Sequence, residues 1–167
     1  ALEVPGLKAE DFETGSKGML SRYTPGMREV KRAYKKQYGI EKNTLYLFFM
    51  DFPGIDKNGY MPLTGHYGFI FNFDLNQIHT IPHELGHGAF NLRHTFSEEA
   101  THFIEEGATD NLMDYGRPPG TKLWKYQWDL IHDPENVLFA WTEEEEEGEM
   151  EKKKWEDILE GSLFELG

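Results

Sequence analysis

Two histidines four residues apart, His83 and His87, place the strongest constraint on how this chain folds. On an α-helix, residues at this spacing project from the same face, one turn apart. We therefore predict a helix over residues 80–90, with Pro82 tolerated in its first turn. Two neutral imidazole nitrogens placed in this way can reach one Zn²⁺ ion at about 2.0–2.1 Å.

Glu84 lies beside the first histidine and completes a His-Glu-x-x-His pattern. A carboxylate at this position can act as the general base toward a water molecule. Chance alone produces the pattern on the order of a few times in a hundred chains of this composition. The surrounding residues therefore have to decide whether it marks a metal site. Gly86 and Gly88 each cost about 1 kcal/mol in a helix interior, and we expect them to allow close packing.

A zinc site with one position open for water takes three protein ligands, and two residues compete to be the third. If the helix continued straight, His94 would lie about 16 Å beyond His83, at about 1.5 Å per residue. The helix must therefore end and the chain turn back, and Asn91 tolerates the left-handed conformation that this requires. The second candidate is Glu106, in a stretch that also contains three other glutamates.

The longer motif around these residues is specific enough to carry a family resemblance. It reads His83-Glu84-Leu85-Gly86-His87-Gly88-Ala89-Phe90-Asn91-Leu92-Arg93-His94-Thr95-Phe96 and is followed by Asn111-Leu112-Met113-Asp114-Tyr115. The two segments resemble the zinc-binding motif and the Met-turn of the metzincin peptidases and are most similar to the pappalysin branch. The interval before the third histidine is one residue longer than in metzincins, and Asn91 stands where their turn glycine would fall.

The resemblance implies an α+β, zincin-like fold. This fold has a small twisted mixed sheet, an active-site helix that carries the His-Glu-x-x-His motif, and a mostly irregular or helical C-terminal subdomain. His83, His87 and His94 are implied to bind Zn²⁺, with Met113 as a hydrophobic floor beneath them. Tyr115 is implied to hydrogen-bond the oxyanion that forms on a substrate carbonyl.

The resemblance also implies a strand that binds the substrate. A strand is predicted over residues 66–73, with Gly68 inside it as a mark of a bulge or a close approach. In the implied fold this strand forms the upper edge of the cleft and pairs with an extended peptide through main-chain hydrogen bonds. The residues assigned to this contact are Gly65, His66, Tyr67 and Gly68.

These features favour a zinc-dependent endopeptidase, with Glu84 as the base that activates water. A gluzincin-type peptidase is an alternative, because Glu106-Gly107-Ala108 resembles the segment that bears the gluzincin glutamate ligand. A non-catalytic, zinc-stabilised binding module is a second alternative, although the intact Glu84 argues against it. A toxin-type effector domain cut from a larger secreted protein would still be a peptidase, with one preferred target.

The 167 residues are predicted to form an N-terminal extension over 1–22, a catalytic domain over 23–140 and a C-terminal segment over 141–167. The extension is predicted to be a disordered tail. The C-terminal segment combines an acidic spacer with an amphipathic helix that packs on the domain.

Within the catalytic domain, Thr24 and Pro25 begin a helix over residues 25–38, which Gly39 ends. A buried strand is predicted over residues 45–52, and a turn over 56–59 follows it. A further helix is predicted over residues 121–133.

Charge and composition limit the partners. A formal net charge of −13, without clusters of Lys and Arg, argues against nucleic-acid binding. The chain has no cysteine, so a metal must be held by His, Asp or Glu, and no apolar run is long enough for a membrane span. The expected partners are a peptide or protein substrate and an inhibitor protein or parent polypeptide. The expected location is extracellular, as a secreted bacterial protein or a domain of one.

Overall fold

The structure is a computed structural model that describes residues 1–13, 22–133 and 135. In this part of the chain, a three-stranded sheet combines with three α-helices in a small mixed α+β arrangement. The elements are α1 (Pro25–Tyr38), β1 (Tyr46–Met50), β2 (Gly59–Tyr60), β3 (Tyr67–Phe71), α2 (Thr80–Phe90) and α3 (Lys125–Ile131), with 3₁₀ turns at Ala9–Phe12 and Leu75–Gln77. None of the helices in these residues is both long and apolar enough to cross a membrane.

The sheet is mixed, as predicted. β1 runs parallel to β3, with Tyr46 opposite Tyr67, while β2 runs antiparallel to β3, with Gly59 opposite Ile70. The strand order is β1-β3-β2, so β3 is the central strand. The sequence predicted only a turn where β2 begins, because a two-residue strand has no periodicity that a pattern can reveal.

Helix α1 has the predicted bounds. The Thr24 side chain accepts a hydrogen bond from the Met27 N–H at 3.4 Å, and Pro25 occupies the first turn. At the other end, Gly39 takes a positive φ of 77° and donates its N–H to the Lys35 carbonyl at 3.0 Å. Local cap chemistry therefore sets both ends of this helix.

The N-terminal segment is part of the fold. Phe12 is fully buried, and its ring lies 5.3 Å from the Phe52 ring and 5.6 Å from the Phe71 ring, centre to centre. The prediction of a disordered tail is therefore wrong for residues 1–13, because burial of an aromatic side chain offsets the cost of ordering the backbone. The buried residues around Phe12, called the sheet core below, are Phe12, Tyr23, Met27, Val30, Ile55, Phe69 and Phe71.

Helix α2 packs close to β3 through Met61. A Cβ atom on Gly68 of β3 would lie 3.1 Å from the Met61 sulfur, and one on Gly88 of α2 would lie 2.5 Å from the same sulfur. A Cβ on Gly88 would also lie 2.6 Å from the Gly65 carbonyl oxygen, which is backbone and cannot move aside. The close packing predicted at Gly88 is confirmed.

The last described helix is shorter than predicted. α3 covers Lys125–Ile131, whereas the sequence predicted a helix over 121–133. The residues before it extend alongside the chain near Asn111, where the Leu112 N–H donates to the Lys122 carbonyl at 2.7 Å. The acidic spacer and the terminal amphipathic helix lie outside the described residues.

Candidate metal centre

The structure brings His83, His87 and His94 together. The Nε2 atom of His94 lies 3.2 Å from Nε2 of His83 and 3.1 Å from Nε2 of His87. Tetrahedral coordination with bonds of about 2.0–2.1 Å separates two ligand nitrogens by about 3.3 Å. The three nitrogens therefore have nearly the spacing that one tetrahedral ion requires.

Backbone carbonyls fix which ring nitrogens face the centre. Nδ1 of His83 lies 2.7 Å from the Leu112 carbonyl oxygen, and Nδ1 of His87 lies 2.7 Å from the Leu92 carbonyl oxygen. A carbonyl only accepts hydrogen bonds, so in each ring Nδ1 carries the proton and Nε2 presents a lone pair. Lone pairs that converge within about 3 Å repel one another unless a cation lies between them. The donor set thus fits a divalent metal ion.

His94 reaches the other two histidines because α2 ends at Asn91. Asn91 takes the left-handed conformation, with φ 53° and ψ 29°, as the sequence predicted. Its N–H donates to the His87 carbonyl at 3.1 Å, and the Leu92 N–H donates to the Gly86 carbonyl at 2.9 Å. This turn directs the chain back toward α2. His94 therefore reaches the other two histidines although the interval before it is one residue longer than in metzincins.

Glu106 lies outside this group. Among the described residues, the side chains that converge on one point with metal-binding spacing are the three histidines. Glu106 is exposed. Burial raises the pKa of Tyr115, and the charges of Glu84 and Glu106 raise it as well. The geometry therefore favours His94 over Glu106 as the third ligand.

Burial keeps the histidines neutral. Burial, together with the neighbouring imidazoles of His83 and His94, lowers the pKa of His87 to about 3. Burial and His83 also lower the pKa of His94 to about 4, while the Asp114 carboxylate opposes that shift. Neutral imidazole is the form that binds metal, so near pH 7 no proton has to leave before an ion binds.

Glu84 lies beside the cluster in a nearly enclosed position, with 6% of its surface exposed. Burial raises its pKa to about 8, against a backbone hydrogen bond from Met61 and the charge of Lys57, which both lower it. A divalent cation bound by the histidines would also favour the ionised form. This carboxyl group is therefore placed to exchange a proton near neutral pH.

The backbone of β2 lies directly against Glu84. A Cβ atom on Gly59 would lie 2.5 Å from Oε1 of Glu84 and 2.7 Å from Cγ2 of Thr80. Only glycine allows this approach without displacing the helix. Gly59 was not among the predicted site residues, although a glycine between a turn and the apolar pair Tyr60-Met61 is a signal that could have identified it.

Met113, which the resemblance implies as a hydrophobic floor beneath the histidines, packs against Gly86 of α2. It is fully buried, and a Cβ on Gly86 would lie 2.7 Å from its sulfur, so the close packing predicted at Gly86 is also confirmed. The Met113 N–H donates to Oδ1 of Asn111 at 2.8 Å. Asn111 in turn exchanges two amide hydrogen bonds with Gln127 of α3, at 2.7 and 3.1 Å, and both side chains are buried.

Tyr115 has its phenol oxygen 3.1 Å from Nε2 of His94. Asp114 fixes the backbone of Tyr115. Its carboxylate accepts hydrogen bonds from the N–H groups of Tyr115 and Gly107, each at 2.7 Å. Thr109 donates its N–H and hydroxyl to the same carboxylate at 2.8 and 2.6 Å. These hydrogen bonds keep the pKa of Asp114 below its usual value although burial opposes them. Thr109, Asn111, Asp114 and Gln127 are called the polar network below.

The segment predicted to bind the substrate is not at the edge of the sheet. Tyr67 and Gly68 belong to β3, which is the central strand and pairs with β1 through these residues. Gly65 is buried and His66 is half-buried, and neither is part of the histidine cluster. The sequence did not reveal residues 59–60 as a strand; they pair with Ile70 and Phe69, so β3 is not an edge strand. The assignment of residues 65–68 as substrate contacts stays a prediction.

A cleft of about 240 Å³ opens in front of the cluster. Its lining comes from β2 and the residues after it, from α2, from the segment that follows α2, and from Tyr115. The lining residues are Gly59, Tyr60, Met61, Leu63, Glu84, His87, Arg93, His94, Ser97 and Tyr115. A larger groove of about 610 Å³ lies between the N-terminal segment, α1 and β1, away from the histidines.

Phe96 belongs to the quoted motif but was not among the predicted site residues. Its ring stacks on the His94 ring at 4.7 Å with an angle of 7° between their planes, and it lies 5.1 Å from the Tyr115 ring. A stack of this kind restricts the rotation of the imidazole, so Phe96 helps to orient the third ligand.

Comparison with known proteins gave no matching family model, no matching curated protein and no matching solved structure. The interpretation of this site therefore depends on its own geometry and on the motif resemblance.

Proposed function

We propose that this chain is a zinc-dependent endopeptidase of the metzincin type. The observation that carries the proposal is the convergence of three imidazole Nε2 atoms: those of His83 and His87 lie 3.2 and 3.1 Å from that of His94. Glu84 lines the cleft beside them. Three histidines are the ligand set of a zinc site that keeps one position open for chemistry.

His83, His87 and His94 would hold the ion. When bound, Zn²⁺ supplies a Lewis acid that acidifies water and polarises a carbonyl group. The Nδ1 hydrogen bonds to Leu112 and Leu92 keep the ligating nitrogens of His83 and His87 directed at one point, which favours tight binding.

Glu84 is the proposed proton carrier. Its carboxylate takes a proton from the attacking water and passes it to the leaving amine, so one group serves as base and then as acid. Its enclosure by Gly59, Thr80 and Met61 keeps bulk water from competing for this proton.

Tyr115 and β2 are the proposed substrate contacts. The Tyr115 hydroxyl, on the cleft side of His94, would donate a hydrogen bond to the oxyanion of the tetrahedral intermediate. Among the described strands, β2 lies at the edge of the sheet, and it lines the cleft, so its outer side would pair with an extended peptide. This assignment moves the peptide-binding strand from residues 65–68 to Gly59–Tyr60.

The test compares the zinc content and peptide hydrolysis of the wild type with those of Glu84→Gln. We expect the variant to bind zinc stoichiometrically, because Glu84 is not a ligand, and to lose at least about 1,000-fold in kcat/KM, because the proton carrier is gone. Glu29→Gln, an equal change at an exposed site on α1, is the matched control and should leave both quantities unchanged.

Two results would count against the proposal. A Glu84→Gln variant with full activity would remove the mechanism. A zinc-loaded wild type that cleaves no peptide in a broad library would instead favour the zinc-stabilised binding module. Secretion, the inhibitor protein and the parent polypeptide stay predictions.

A further inference from the structure

Arg93 places a positive charge at the rim of the cleft. It precedes His94 in the chain and lines the same cleft as Glu84 and Tyr115. Among the residues that line this cleft, it is the only Lys or Arg. Lys57, whose charge also acts on Glu84, donates a hydrogen bond from its ammonium group to the Phe12 carbonyl at 2.9 Å and does not line the cleft.

The guanidinium of Arg93 is held only weakly. Its Nη1 lies 3.4 Å from Oε2 of Glu99, and both side chains are exposed, at 44% and 69%. An exposed single-point ion pair of this length contributes little to stability. A guanidinium has five N–H donors in a planar fork, and the pair with Glu99 uses one of them. With respect to the described residues, two parallel N–H groups therefore remain for a second carboxylate.

We propose that Arg93 selects substrates with an acidic side chain close to the scissile bond. This inference rests on the proposed function and adds a substrate class to it. A Glu or Asp side chain of an extended peptide in the cleft would form a two-point ion pair with the fork of Arg93, a geometry that carboxylates match and neutral amides do not. Glu99 competes for the same guanidinium and thereby moderates the preference.

The experiment measures kcat/KM for peptide pairs that differ only in Glu or Gln, with the pair placed at each of the three positions on either side of the cleaved bond. The wild type should prefer Glu at one of these positions by about tenfold, the effect of one charge-assisted hydrogen-bonded pair. Arg93→Gln should remove the preference, and Arg93→Glu should shift it to a Lys peptide. Glu99→Gln should strengthen the preference for Glu, because the internal competitor is gone.

A binding measurement separates recognition from catalysis. The zinc-loaded Glu84→Gln variant should bind the Glu peptide more tightly than the Gln peptide. The ratio of the two affinities should fall as salt rises from about 0.05 to about 0.5 M, because added salt screens exposed charges. Arg32→Gln is the matched control: it removes the same charge from α1, outside the cleft, and should leave the ratio unchanged.

The outcomes distinguish this inference from the proposed function. Cleavage of the peptides without a preference for Glu at any position, or with a preference that survives Arg93→Gln, would overturn the role of Arg93 and leave the peptidase intact. Failure of the wild type to cleave any peptide would overturn both.

Discussion

The sheet core and the polar network are held together by different forces. The sheet core joins the N-terminal segment, α1 and the sheet through aromatic and aliphatic side chains such as Phe12, Met27 and Phe71. The polar network joins the chain around Met113 to α3 mainly through hydrogen bonds of Asp114 and the Asn111–Gln127 pair. Apolar burial is non-directional, whereas each hydrogen bond fixes a geometry.

This difference assigns distinct tasks to the two regions. The sheet core provides stability, because apolar burial is the main favourable term in folding. The polar network contributes less net stability but places Leu112 beneath His83 and Tyr115 beside His94. Substitutions in the sheet core should therefore lower mainly the free energy of unfolding, whereas substitutions in the polar network should lower mainly the affinity for metal.

The largest effect on stability is expected in the sheet core. Phe71→Ala removes a fully buried ring that contacts Phe12 and Phe69, and it should lower the free energy of unfolding by about 3–5 kcal/mol. Denaturant unfolding of the metal-free protein measures this loss. Phe49→Ala, at an aromatic side chain that is 55% exposed, should cost much less. Equal losses in the two variants would mean that the sheet core does not dominate stability.

Removal of the third ligand should act on the metal instead. His94→Ala should weaken zinc binding by more than about 100-fold, because loss of a ligand exceeds the 10- to 100-fold effect of losing a group that only supports one. Glu106→Ala should leave the affinity unchanged, since Glu106 lies outside the cluster. Titration against a chelator of known affinity measures both. The opposite pattern would favour the gluzincin interpretation.

A smaller effect is expected in the polar network. Gln127→Ala leaves the buried Asn111 amide without its partner, which should destabilise this region by about 1–3 kcal/mol and weaken zinc binding about 10-fold or more. Hydrogen exchange should show faster opening around residues 111–115 and little change in β3. Gln37→Ala, at an exposed glutamine of α1, is the matched control. Uniform acceleration throughout the protein would contradict the separation of the two regions.

The smallest and most gradual effect is expected from pH. In the metal-free protein, His87 and His94 have pKa values of about 3 and about 4, below the 6.5 of an exposed histidine. The unfolded chain therefore binds more protons than the folded one between about pH 6.5 and pH 4, and stability should fall as the pH drops through this range. Thermal unfolding at a series of pH values measures the slope.

The histidine substitution sharpens the pH prediction. His87→Asn should flatten the slope in the metal-free protein, because a group that titrates differently in the two states is removed. His132→Asn, at an exposed histidine, should retain it. An unchanged slope in His87→Asn would show that other groups carry the acid sensitivity.

Local chemistry made several features predictable. The capping Thr24, the first-turn Pro25 and the terminal Gly39 set the bounds of α1, and all of these signals lie within one or two turns of what they determine. The same holds for α2, whose predicted bounds agree with the structure and whose end depends on the conformation of Asn91. The three histidines could be nominated because two of them share a helix face and the third follows the turn.

Other features depended on contacts between distant parts of the chain. Nothing local to Phe12 indicates that its ring lies against Phe71, and nothing in residues 59–60 indicates pairing with β3. The central position of β3 follows from this pairing. α3 begins late because residues 121–122 bond to the backbone near Asn111 instead of continuing the helix.

The sequence alone determined that His83 and His87 share one helix face beside Glu84, because helix periodicity puts residues four apart on the same side. The choice between His94 and Glu106 was open in the sequence, since either could follow a turn after Asn91. Only the tertiary structure decided it. The backbone path from Asn91 and the stacking of Phe96 place Nε2 of His94 3.1 Å from that of His87, and both depend on contacts that spacing along the chain does not specify.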